Sequence, residues 1–131
     1  MSEPSYSRHS LPWFHTKRGR DVWLVALATR SLINSMDDDP DECVGITIFD
    51  LRLVLVDAGI SRPDQDETVL HELMHVSGHG RGLKASAEET AVRAISPPLF
   101  ALLYGMGLRW PRRPRGACAF ERWARTFHEE E

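Results

Sequence analysis

Apolar and polar positions along the chain alternate between two periods, and the elements follow from that change. Trp23, Leu24, Leu27, Leu32 and Ile33 recur at helical spacing behind Asp21, a good cap, so a helix is expected from Asp21 to about Met36. Residues 37–42, Asp-Asp-Asp-Pro-Asp-Glu, lack the spacing and central glycine of a calcium loop and read as a solvated turn. Val44–Ile48 and Arg52–Val56 are rich in β-branched and aliphatic residues; they predict a hairpin with Phe49-Asp50-Leu51 as its turn, or else one bent strand. A helix then follows from about Gln65 to Ser77, capped by Asp64 with Glu67 three residues on. Its apolar face is read as Leu70, Leu73, Met74 and Ser77, and Gly78, Gly80 and Gly82 stop it. Ser86 and Glu89 form a second capping box, opening a helix through Ala91, Val92 and Ile95. Pro97-Pro98 either break that helix or open the next apolar segment, Leu99 to Leu108. A last amphipathic helix is expected over residues 117–131, with Phe120, Trp123 and Phe127 on one side. The order implies an α+β fold, a small antiparallel sheet packed on helices, with the 65–77 helix central.

At 131 residues the chain is long enough for one core and too short for two. Three segments are expected. Residues 1–20 form a flexible arm with Trp13 and Phe14 as anchors, 21–108 a domain, and 109–131 a basic linker plus a terminal helix on the same domain. A formal charge of −3 gives no general attraction to nucleic acid or anionic membrane. The arginines between Arg109 and Arg115 are broken by Pro111 and Pro114 and read as an exposed linker, so nucleic acid is not expected as a partner. No basic segment followed by an apolar run opens the chain, and the longest apolar run, Val22–Ala28, is too short to span a membrane. Cys43 and Cys118 lack the spacing of a disulfide framework or a thiolate metal site. A cytoplasmic setting is expected.

The chemistry concentrates in one stretch, His71-Glu72-Leu73-Met74-His75. On a helix, side chains four apart lie one turn above each other, so both imidazoles can reach one zinc ion. Glu72 then projects beside them as a general base for an ion-activated water. Two histidines need a third protein ligand. His79 lies beyond the helix-ending Gly78, and the His-Glu-x-x-His-x-x-Gly-x-x-His pattern fails because Arg81 stands at its last position. That leaves the carboxylates of Glu88 and Glu89. Glu88 shares a face with Ala91, Val92 and Ile95 and is selected as third ligand; Glu89, explained by its cap and by a four-residue pairing with Arg93, is held in reserve. Tyr104 and His79 are the nearest candidates for an oxyanion donor, and Asp57 for a hydrogen bond to a ligand histidine.

A β-rich segment followed by His71-Glu72-x-x-His75 and then Glu88-Glu89 resembles a minimal gluzincin, the zinc peptidases with two histidines and one glutamate. In compactness it is similar to the ImmA/IrrE-type and small phage-encoded peptidases, over about Val44 to Leu103. The resemblance implies a zincin-type core over residues 21–108 and a metallopeptidase acting on a protein substrate, such as a regulatory protein. It implies Zn2+ on His71, His75 and Glu88 (or Glu89), with Glu72 as general base. The strand before the motif helix would receive an extended substrate by strand addition. The separation between His75 and the glutamates is short for that group, and its Ala-Asn-x-Phe-Ala continuation is absent. The competing expectation is a catalytically silent, zinc-binding regulatory or interaction module on the same scaffold.

Overall fold

A computed structural model of the chain describes residues 12–36, 43–78, 82, 84–114 and 119–129. Its centre is a four-stranded sheet built from β1 (Trp13–Arg18), β2 (Asp21–Ala28), β3 (Gly45–Ile48) and β4 (Leu53–Asp57), in the order β1-β2-β4-β3. β1 and β2 pair antiparallel, Trp13 opposite Ala26 and Arg18 opposite Asp21. Their two-residue turn uses Gly19 at φ 62, a left-handed conformation that glycine adopts without steric cost. β2 and β4 are parallel, Leu24 opposite Leu53 and Ala28 opposite Asp57, while β3 and β4 form the expected antiparallel hairpin. The 3-10 turn at Phe49–Leu51 joins that hairpin.

Helices cover both faces. Short α1 (Arg30–Ser35) and α4 (Ala119–Glu129) lie on one side, α2 (Arg62–Gly78) on the other, and α3 (Ala85–Gly105) packs against α2. Trp23, Val25 and Leu27 of β2 and Val54 and Val56 of β4 point to the α2 side, where Val69 and Val76 meet them. Ala26, Ala28, Leu53 and Leu55 point the other way, against Ile33 and Phe120. The result is a mixed α/β fold with a sheet between two helical layers.

The helix expected from Asp21 to Met36 is instead β2 followed by α1, with Thr29 capping α1 through its side chain to the Leu32 amide. A strand buried on both faces has no polar alternation, so Val22–Ala28 carries the same continuous apolar signal as a core helix. The arm expected over residues 1–20 also changes character, because Trp13 to Arg18 is β1. Its two anchors hold: Trp13 and Phe14 are buried.

The basic segment after α3 is docked at Trp110 and Arg113, while Arg109, Pro111 and Arg112 are exposed as expected of a linker. Trp13 Nε1 donates to the Pro111 carbonyl at 2.8 Å and Trp110 Nε1 to the Asp66 carbonyl at 2.9 Å. Trp110 stacks on Phe14 with centroids 6.0 Å apart. Arg113 pairs with the Asp66 carboxylate and donates to Gln65 Oε1 at 2.7 Å. Arg109 lies over the Tyr104 ring, 3.5 Å from its centroid. These two arginines serve the fold. Pro97 and Pro98 likewise do not end a helix: both rings are exposed inside continuous α3, which gives up two backbone donors there. No helix among the described residues is long and apolar enough to cross a membrane.

Candidate metal centre

Helix α2 is tied down at its start and rides on the sheet by one apolar edge. The Ser61 hydroxyl accepts from the Asp64 amide at 3.2 Å, so Ser61, not Asp64, is the capping side chain. Buried Gln65 turns its amide back to the carbonyls of Asp57, Ala58 and Ile60 at 3.4, 3.3 and 3.1 Å. Those bonds fasten the helix to the end of β4. Val69 and Val76 then anchor two turns of α2 against the sheet, and Glu72, between them on the same face, is carried inward beside β3. The inward face therefore centres on Val69, Glu72 and Val76; of the expected Leu70, Leu73, Met74 and Ser77, only Leu70 is fully buried and Ser77 is exposed.

Glu72 is 8% exposed. The Thr47 hydroxyl of β3 donates to its Oε1 at 2.7 Å. Burial pushes the Glu72 carboxyl above the usual range, and the Thr47 hydrogen bond and the two histidines pull only part of the way back. The close approach of β3 depends on Gly45. A Cβ there would stand 2.5 Å from Thr68 Cγ2 and 3.3 Å from Glu72 Oε2, so only glycine lets this strand lie against the carboxylate.

His71 and His75 sit one turn apart on the side of α2 that faces α3, ring centroids 5.1 Å apart. Gly78 ends α2, and a Cβ at that position would come within 3.2 Å of Glu88 Oε2. Its bare Cα lets the first turn of α3 close onto His75. The cap of α3 is Lys84, whose carbonyl accepts from the Glu88 amide; Ser86 is inside the helix. Glu88 and Glu89 then take the two nitrogens of one ring: Glu88 Oε1 lies 2.6 Å from His75 Nδ1, and Glu89 Oε1 lies 2.7 Å from His75 Nε2. Glu89 Oε1 is also 3.5 Å from His71 Nε2. Burial lowers the His75 pKa, but Glu88, Glu72 and Glu89 outweigh it and hold the ring above its ordinary value. For Glu89, burial acts upward, and the hydrogen bonds from Arg93 and His75 prevail to keep it below the usual carboxylate range.

His71, His75 and Glu89 each offer a donor atom within 4.8 Å of the others. Two imidazole nitrogens and one carboxylate oxygen are the donor set of a three-ligand zinc site that keeps a position for water. The tetrahedral edge around such an ion is about 3.4 Å; the 3.5 Å between His71 and Glu89 is close to it, and the 2.7 Å between His75 and Glu89 is a hydrogen bond that an ion would replace. This donor set fits a zinc ion. The group opens into a cavity of about 540 Å3, whose walls include Gly45, Thr47, Glu72 and Arg93.

The structure brings His71, Glu72, His75 and both glutamates together, with Glu88, the expected third ligand, and Glu89 in separate places. Glu89 faces both histidines, whereas Glu88 holds the far nitrogen of His75. The face that Glu88 shares with Ala91, Val92 and Ile95 is not the buried one expected: Ile95 is 49% exposed and only Val92 of that set is fully covered. Asp57 does not touch a histidine; it pairs with Arg30 and accepts from the Gly59 amide at 2.8 Å. Tyr104 packs on Phe100 and Arg109 and is not part of the cavity wall. His79 lies outside the described residues. Thr47 and Gly45 escaped the sequence reading, since a hydroxyl and a glycine in a short strand carry no periodic signal. Comparison with family models, with curated proteins and with solved structures gives no match to this chain.

Proposed function

We propose that the protein is a zinc-dependent peptide hydrolase on a minimal zincin-type core, with His71, His75 and Glu89 holding the ion and Glu72 as general base. The observation that carries this reading is the convergence of those three donor groups beside a buried carboxylate in one open cavity. When bound, zinc polarises a carbonyl oxygen and brings the pKa of a water down to about 7.

The chain's own residues supply the remaining work. Thr47 anchors Glu72 through Oε1, which leaves the other oxygen to take a proton from the attacking water and pass it to the departing amine. Burial raises the pKa of that carboxyl, which suits a base working near neutral pH. Glu88 holds the His75 ring through Nδ1, so Nε2 stays turned toward His71 and Glu89. A structural site would have no use for a buried Glu72, and this favours a hydrolase over a silent module.

β4, the strand directly before α2, is flanked by β2 and β3, so it has no edge for an added strand. The edge strands are β1 and β3, and Gly45, Ile46 and Thr47 of β3 line the cavity. An extended peptide pairing with β3 would run past Glu72 and the two histidines. The test is hydrolysis of a degenerate peptide mixture by zinc-loaded protein, followed by mass spectrometry. Wild type is expected to cleave, and Glu72→Gln to keep its zinc and lose cleavage by at least a hundredfold. Equal cleavage by both proteins would refute the assignment.

A further inference from the structure

One side chain of the cavity has no part in the chemistry above. Arg93 lines the same cavity as the histidines, one helical turn beyond Glu89 on α3. Among the described residues that line the cavity it is the sole cation apart from the histidines. Its Nε donates to Glu89 Oε2, the oxygen that does not face the histidines, and its side chain is 75% exposed. That bond uses the inner edge of the guanidinium. The two terminal nitrogens have no partner among the described residues and form the fork that binds a carboxylate in bidentate fashion. An ordinary surface pair would need only one contact with Glu89; here the partner carboxylate is fixed by His75, so the fork is oriented before anything binds.

We infer that Arg93 is a specificity-determining residue that receives a substrate carboxylate, so that the preferred peptides carry a negative charge within two residues of the cleaved bond. The spacing follows from geometry. Four residues of helix separate Arg93 from Glu89 by about 6 Å along the axis, and an extended peptide advances about 3.3 Å per residue. The charge comes either from the chain end or from an acidic side chain. The inference rests on the hydrolase reading for what "cleaved bond" means, but recognition of the carboxylate does not require turnover.

The experiment measures binding with hydrolysis switched off. Zinc-saturated Glu72→Gln protein, with Glu72→Ala as its substitute should the first not fold, is titrated with an N-acetylated degenerate tetrapeptide mixture. The mixture is prepared as the free acid, as the amide, and as the amide with glutamate at the last position. The acid is expected to bind about tenfold tighter than the amide, and the glutamate arm shows whether a side chain can replace the chain end. Adding Arg93→Gln should bring acid and amide within twofold of each other, and Arg93→Lys should keep part of the difference. The acid-to-amide ratio at saturating zinc does not depend on any change in zinc affinity, which separates recognition from mere support of Glu89. Equal binding of acid and amide, a preference that survives Arg93→Gln, or no binding at millimolar peptide would overturn the inference. If wild type cleaves no peptide while the ratio behaves as stated, the hydrolase reading fails and carboxylate recognition stands.

Discussion

Replacing Thr47 by valine removes one hydroxyl and keeps the β-branched shape that suits strand β3. The loss falls on Glu72, which is 8% exposed and takes its hydrogen bond at 2.7 Å from that hydroxyl. A hydrogen bond to a charged group contributes about 1.5–3 kcal/mol, and one between neutral groups about 0.5–1.5 kcal/mol. The cost of Thr47→Val should therefore depend on whether Glu72 is ionised. Burial raises the carboxyl above its ordinary value of 4.5, so the folded protein binds this proton more tightly than the unfolded chain. The stability linked to Glu72 is then fully present below 4.5 and is lost as pH rises through the higher folded value. Without Thr47 the folded value moves higher still and the loss deepens. Urea unfolding of metal-free protein, kept in chelator, measures this at pH 4.5 and at pH 8. The cost should be about 0.5–1.5 kcal/mol at the lower pH and about 1.5–3 kcal/mol at the higher, with the m-value unchanged. An equal cost at both values would mean that the hydroxyl serves strand packing and not the carboxylate.

Three further outcomes follow from the same geometry. Gly45→Ala places a Cβ 2.5 Å from Thr68 Cγ2, so thermal unfolding should report a loss of about 1–3 kcal/mol as β3 is pushed off α2. His75 is held above its ordinary pKa by three carboxylates, so protons compete with the ion over a raised range. Competition titration should find zinc affinity falling with pH already above 6.5, and a Glu88→Gln variant should move that fall to lower pH. Arg113→Ala leaves Asp66, whose side chain is 9% exposed, without its ion-pair partner; unfolding should show a loss of about 3 kcal/mol. A surface arginine of a nucleic-acid-binding face would instead leave stability unchanged.

What the sequence made legible follows from which signals are local. The β3–β4 hairpin, a helix over about Gln65 to Ser77 and its end near Gly78 were readable because strand composition and glycine act within a few residues, whereas the caps were misplaced: Ser61 and Lys84 stand where Asp64 and Ser86 were expected. The motif residues were readable because helical periodicity alone puts His71 and His75 one turn apart. β1 and β2 were not, since their assignment depends on the parallel pairing of β2 with β4, some thirty residues away, and on helices covering both faces. That arrangement erases the polar alternation by which a strand is recognised. The division of labour between Glu88 and Glu89 was equally hidden. Adjacent residues on a helix differ by about 100° in direction, and which one faces the histidines is set by how closely α3 meets α2 at Gly78. The roles of Thr47 and Arg93 are properties of the cavity, formed only when β3 and α3 are brought beside α2.

The proposed ion site is built from His71, His75 and Glu89, with Glu88 acting on it through the His75 ring. Calorimetric zinc titration of wild type, Glu89→Gln and Glu88→Gln tests it most directly. One zinc per chain is expected for wild type, with a loss of affinity of a hundredfold or more for Glu89→Gln and about ten- to a hundredfold for Glu88→Gln. A folded wild-type protein that takes up no zinc, or a Glu89→Gln variant that binds it as tightly as wild type, would rule this site out.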